Sequence, residues 1–191
     1  MENHSQRKLT PELSILEGQL RECYARVVYT HKVHEKCADI LLERLSCIKL
    51  WQIILSAITT SGFLVTLLGK SQFGAILGGL VSLFLLFLNA YVKNYDLGEL
   101  AQKHKQAAND IWLIREQYLS LLTDLLIGGK SLVDLQLVRD SLIKQLDSIY
   151  KGAPSTNISA YKRAQDSLKI KEDMTFSNDE INAFLPNDLR R

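Results

Sequence analysis

The sequence predicts an all-α protein: a two-span transmembrane helical hairpin with long cytoplasmic amphipathic helices packed beside it as a coiled-coil-like bundle. Three observations carry this. Between Lys49 and Lys93 the only charged residue is Lys70, close to the midpoint. Apolar residues in both flanks recur at alternating steps of three and four. The chain holds three prolines in 191 residues, and its β-branched residues fall inside helical patterns.

Residues 1–49 form the first unit. Thr10 followed by Pro11 is a helix start, a capping hydroxyl before a proline preset for the first turn. Leu13, Leu16, Leu20, Cys23, Val27, Thr30, His34, Cys37, Leu41 and Leu45 then make one stripe running toward the apolar segment. Residues 50–92 form the hairpin. Its two uncharged runs, 50–69 and 71–92, reach roughly 30 Å and 33 Å as helices, enough to cross a ~30 Å hydrocarbon core. Gly69, Lys70, Ser71 and Gln72 are all that remains for the turn, so both flanks lie on one side of the membrane. Lys32, Lys36, Arg44, Lys49, Lys93, Lys103 and Lys105 stand near the span ends on that side, against Lys70 in the turn. The excess of positive charge makes that side cytoplasmic, with both termini there. Trp51, Tyr91 and Tyr95 suit the same interface.

Residues 93–150 continue the helical pattern with Leu97, Leu100, His104, Ala107, Ile111, Ile114, Tyr118, Leu122 and Leu125. A further helix fits 132–150, capped by Ser131, with Leu135, Leu142, Leu146 and Ile149 on one face. Residues 151–191 open with a loop, Lys151–Asn157, rich in Gly, Pro and Ser. Ile158–Ile170 reads as a short helix. Ser177 and Glu180 have capping-box spacing, and the helix they open ends near Leu185–Pro186. Its Ile181, Phe184 and Leu185 are expected to dock on the coil; the alternative is an apolar hook for a partner.

With 23 basic against 21 acidic residues, charge gives no ground for direct nucleic-acid binding. The polar start MENHSQRKLTPE carries no secretory signal. Cys23, Cys37 and Cys47 are expected to be reduced thiols.

In the first span Gln52, Ser56, Thr59 and Thr66 share a face, with Thr60 and Ser61 beside it. In the second, Gly74, Gly78, Ser82 and Asn89 are roughly aligned, and Gly79 adjoins Gly78. Small residues at this spacing let helices approach closely. Two readings follow: packing of span on span, or a polar face turned toward a common axis in a homo-oligomer. One hairpin encloses no lumen, so a pore requires self-association. Neither span holds Asp, Glu, Arg or His, which argues against proton-coupled transport and favours a leak over a selective channel.

Gly129-Lys130-Ser131 resembles the end of a phosphate-binding loop, but Asp124 stands where that loop needs its first glycine. His31, His34 and Cys37 drift round the helix, a poor metal set. No nucleophile is placed beside a base, so no enzyme, cofactor or metal is expected. Lys103, Lys105, Arg115, Lys130 and Arg139 are candidates for a phosphate contact at the membrane-distal end of the bundle. The alternative is a solvated mixed-charge face with Glu99, Asp110, Glu116 and Asp124.

The layout, with the segment LAQKHKQAANDIWLIREQYLSLLTDL and the tail ISAYKRAQDSLKIKEDMTFSNDEINAFLP, resembles the SLATT superfamily of two-transmembrane effectors over residues 10–186. The resemblance rests on the layout and on Trp112, Arg115, Tyr118, Tyr161, Ala164, Leu168 and Phe184-Leu185-Pro186. It implies a pore-forming effector of bacterial antiviral defence in the inner membrane. Such an effector arrests the infected cell (abortive infection) when a partner enzyme, a reverse transcriptase or nucleotidyltransferase, or a signalling nucleotide supplies the trigger. The alternative is a membrane-tethered binding module whose hairpin is only an anchor.

Overall fold

The computed structural model describes residues 9–69 and 72–190, with side chains described except at 65–69 and 72. Lys70 and Ser71 of the expected turn, and the side chains of Thr66, Gly69 and Gln72, lie outside the described residues. The elements are α1 (Pro11–Gly69), α2 (Gln72–Asn94), α3 (Leu97–Ile127), α4 (Leu132–Gly152), α5 (Ile158–Lys169), α6 (Asn178–Phe184) and a 3-10 turn at Asn187–Leu189.

The polar flank and the first apolar span are one unbroken helix. α1 is 59 residues long, about 88 Å at the α-helical rise. The return path has one break, at Tyr95–Asp96. There the Asp96 carboxylate accepts the Glu99 amide at 2.8 Å and starts α3. An acid capping one of the free amides of the first turn also complements the helix dipole. α3 ends where Gly128 takes a left-handed conformation, φ 78°, which glycine adopts without a Cβ penalty.

α1 runs antiparallel to α2 and then to α3 in a nearly constant register. Gln52 meets Asn89, His34 meets His104 and His31 meets Ala108. One register therefore holds from the hairpin into the bundle. Leu16, Leu20, Cys23 and Val27 of α1 pack with Ile111, Ile114, Tyr118, Leu121 and Leu125 of α3, and Leu135 and Leu142 of α4 close the core. Each fully buried Leu or Ile contributes roughly 1.5–3 kcal/mol from apolar burial. The buried face of α3 is wider than its expected stripe, including Ala101, Ala108 and Leu121, while Leu100 is outside it. The cause is that α3 lies between α1 and α4, which takes a second strip of its surface.

α5 packs on another side of α1. Ala160 and Ala164 are fully buried against Val33 and Cys37, Arg163 donates to both oxygens of Glu43, and the Tyr29 and Tyr161 rings lie 5.1 Å apart. Two alanines permit this close crossing. The α4 helix extends through Lys151–Gly152, where a loop was expected, and α5 stops one residue short of Ile170.

One expectation is overturned. α6 has its capping box, with Ser177 and Glu180 bonded reciprocally, but it does not dock on the coil. None of its residues is buried, and Phe184 is 80% exposed.

Both apolar segments are long enough and hydrophobic enough to cross a membrane, and neither window has any residue buried in the protein. Ile53, Phe63, Leu80 and Phe87 are more than half exposed. A continuous apolar surface of this extent requires lipid or another protein around it.

Candidate functional site: the membrane hairpin

The polar residues of the spans are handled in two ways. Three hydroxyls are bonded within their own helix: Thr59 donates to Leu55 O, Thr60 to Ser56 O and Ser61 to Ala57 O, each at 2.9 Å. Such bonds cover the donor hydrogen inside hydrocarbon and leave the oxygen with acceptor capacity. Gln52 and Asn89 instead bond across the hairpin, Nε2 to Oδ1 at 2.7 Å. They tie the two spans together near the end that joins the polar bundle.

At the opposite end the backbones approach closely, since a Cβ on Gly62 would sit 3.7 Å from the Gly74 carbonyl oxygen. Beside this contact Thr59, Phe63, Gly74, Ala75, Gly78, Gly79 and Ser82 line a groove of about 300 Å³. Gly78 and Gly79 open onto free space: a Cβ added at either meets nothing within 4 Å. Their lack of a side chain is therefore not explained by packing inside one hairpin. The structure brings Thr59, Gly74, Gly78, Gly79 and Ser82 to one groove and places the Gln52–Asn89 pair elsewhere. Ser56 lies on the exposed surface between them.

The five basic candidates of the bundle do not converge. Lys103 pairs with Glu99, Arg115 with Glu116, Lys130 with Asp124 and Arg139 with Asp140. Lys103 and Arg115 are separated by about 18 Å along α3. Lys105 lines a cleft of about 410 Å³ with Lys32, Glu35, Lys36 and Asp39, and it has no ion pair among the described residues. Among the described residues no group of three or more His, Cys, Asp or Glu is arranged to hold a metal ion.

Within the bundle, between α1 and α3, lies a buried imidazole cluster. His34 Nδ1 and His104 Nδ1 are 2.9 Å apart, and His31 Nδ1 lies 2.9 Å from the Ala108 carbonyl oxygen. His31 Nε2 faces Glu35 at 3.5 Å, and Lys32 bridges Glu35 and Asp173 at 3.1 and 3.2 Å. A direct bond between two imidazole nitrogens holds one proton, so at least one ring presents a bare nitrogen. Burial, and then the neighbouring His104 and His31, push His34 down to about 4; burial also lowers His104. The hydrogen bond from His31 holds the Glu35 carboxyl down to about 2 against its own desolvation.

Sequence spacing had put His34 and His104 on facing stripes without pairing them. Their signal was two polar residues at matching distances from the turn, and the same holds for Gln52 and Asn89.

A family model described as "SMODS and SLOG-associating 2TM effector domain family 4" matches residues 16–180. Comparison with curated proteins and with solved structures finds no match.

Proposed function

Because the chain belongs to the SMODS and SLOG-associating two-transmembrane effector family, SLATT family 4, we propose that it permeabilises the inner membrane of an infected bacterium as a homo-oligomer. Both termini are cytoplasmic in this reading, and the bundle receives a trigger from a partner enzyme, such as a reverse transcriptase or nucleotidyltransferase, or from a signalling nucleotide. The observation that carries it is the groove at Gly74, Gly78 and Gly79, open where a neighbouring span would fit. Van der Waals contact through small residues is the main attraction available to helices in lipid.

In an assembly the hydroxyls of Thr59, Thr60 and Ser61 keep acceptor capacity that a water-filled axis would use. With no charge in either span before or after Lys70, such an axis has no means to select strongly among ions. Gating requires two packings of the hairpins, and the unbroken α1 transmits a shift in the bundle directly to the first span.

Exchange of residues 50–92 for an unrelated two-span hairpin tests this. Loss of growth arrest with insertion and expression intact is the expected result. Full arrest after the exchange would make the hairpin an anchor and the bundle a recruiting module.

A further inference from the structure

α3 carries an outward stripe at seven-residue intervals, Lys105, Trp112, Leu119 and Leu126. The three apolar members are 47%, 45% and 57% exposed. It lies beside the seam where Met174 Sδ contacts Arg115 at 3.7 Å and Asp173 pairs with Lys32. The chain leaving that strap forms α6 four residues later, so α6 starts within about 14 Å of Met174. The α6 sequence opens with Asp179 and Glu180 and continues to Ile181 and Phe184. Stripe and helix thus have the same order, charge first and apolar next, with opposite charge.

We infer that α6 docks on the α3 stripe of a second copy of this chain, with Asp179 toward Lys105 and Phe184 toward Trp112 and Leu119. This rests on the oligomeric reading above. Hairpins in one bilayer stand parallel at equal depth, so a contact between copies pairs surfaces at the same height. The strap at Arg115 holds Met174 at the level of the stripe and keeps the start of α6 within about 14 Å of that level. One copy donates α6 and accepts another, a head-to-tail contact of the kind that forms a ring when the rotation between copies closes. Trp112, Leu119 and Leu126 with Phe176, Ile181 and Phe184, at 43–80% exposure, offer roughly 750 Å² of surface to such a contact, below the roughly 1,000 Å² of a self-sufficient specific interface. The α6 contact therefore adds to span packing and is too small to act alone.

The test uses full-length protein in native membranes, with Cys47→Ser to remove the exposed thiol. One tagged copy carries Ala183→Cys and a differently tagged copy carries Asn109→Cys, both exposed positions. They are co-expressed and treated with a bismaleimide of about 10 Å reach, comparable to an interhelical distance. A product containing both tags is expected. Asp179→Lys should reduce its yield roughly threefold, the scale of an exposed ion pair, and Lys105→Glu in the partner copy should restore it. A parallel Ser82→Cys chain reports span contact between copies. A Ser82→Cys dimer without the two-tag product overturns the α6 docking and leaves the oligomer standing. Absence of both products overturns the oligomeric reading as well. A product within one doubly substituted chain, and none between copies, would show that α6 folds onto its own α3.

Discussion

Acidification should loosen the α1–α3 contact at His34 and His104 well before it affects the apolar core. The sign follows from where the proton binds. Folded His34 is held down to about 4 against an ordinary 6.5, so below pH 6.5 the unfolded chain takes up the proton first. The unfolded state then holds more protons, and stability falls as pH falls, by up to about 1.4 kcal/mol per pH unit for one histidine. Between pH 7 and pH 4 His34 accounts for roughly 3 kcal/mol, and His104, also lowered, adds to it. The His104 and His31 rings oppose a further positive charge on His34, and Arg26 lines the same cleft. Glu35 acts in a lower window. Its carboxylate, held near 2 from 4.5, contributes stability above pH 4.5 that is lost as pH falls toward 2. Hydrogen exchange of α1 and α3 amides in lipid nanodiscs from pH 7.5 to 4.5, corrected for intrinsic rates, reads this directly. Protection around residues 30–38 and 101–108 should fall in the wild type and stay nearly level in the His34→Leu/His104→Leu chain. The same fall in both proteins would refute the assignment to this pair.

Three further outcomes follow from the geometry. Gln52→Leu or Asn89→Leu alone leaves one amide without its partner in the membrane and should cost about 1 kcal/mol of hairpin stability, with the double substitution recovering most of it; a double-mutant cycle in lipid measures this. Gly78→Leu puts a side chain into the open groove, so insertion and monomer stability should stay near wild type while span-to-span cross-linking and growth arrest are lost. Ala164→Leu overfills the α5–α1 crossing and should cost about 1–3 kcal/mol, read as faster proteolysis between α4 and α5 with the α1–α3 core unaffected.

Much of the fold was legible because its causes are local. One charge in the stretch between Lys49 and Lys93, the cap at Ser131 and the Ser177–Glu180 box are short-range signals, and the corresponding elements are present. The stripes on α1 and α3 were legible for the same reason. Legibility ended where one helix serves two partners. Val33 and Ala38 of α1, and Ala101, Ala108 and Leu121 of α3, are buried by neighbours distant in sequence, and small or single residues give no periodic signal for this. The docking expected of α6 was wrong because a seven-residue amphipathic pattern says that an apolar face exists and not what covers it. For the hairpin, composition identified Gly78 and Gly79, but only the open space beside them shows that packing within one hairpin does not account for them. For the basic residues of the bundle the sequence left open a phosphate contact or a mixed-charge face with Glu99, Asp110, Glu116 and Asp124; Arg115 stands beside Glu116 and Lys130 beside Asp124.

The central claim is that hairpins of this chain associate and breach the membrane. Membrane potential, read by dye within minutes of tightly controlled induction in bacteria carrying the system's trigger, tests it most directly. Depolarisation that precedes loss of viability, and that disappears with Gly78→Leu at equal insertion, is the predicted result. A steady potential during growth arrest, or depolarisation undiminished by Gly78→Leu, would contradict the account.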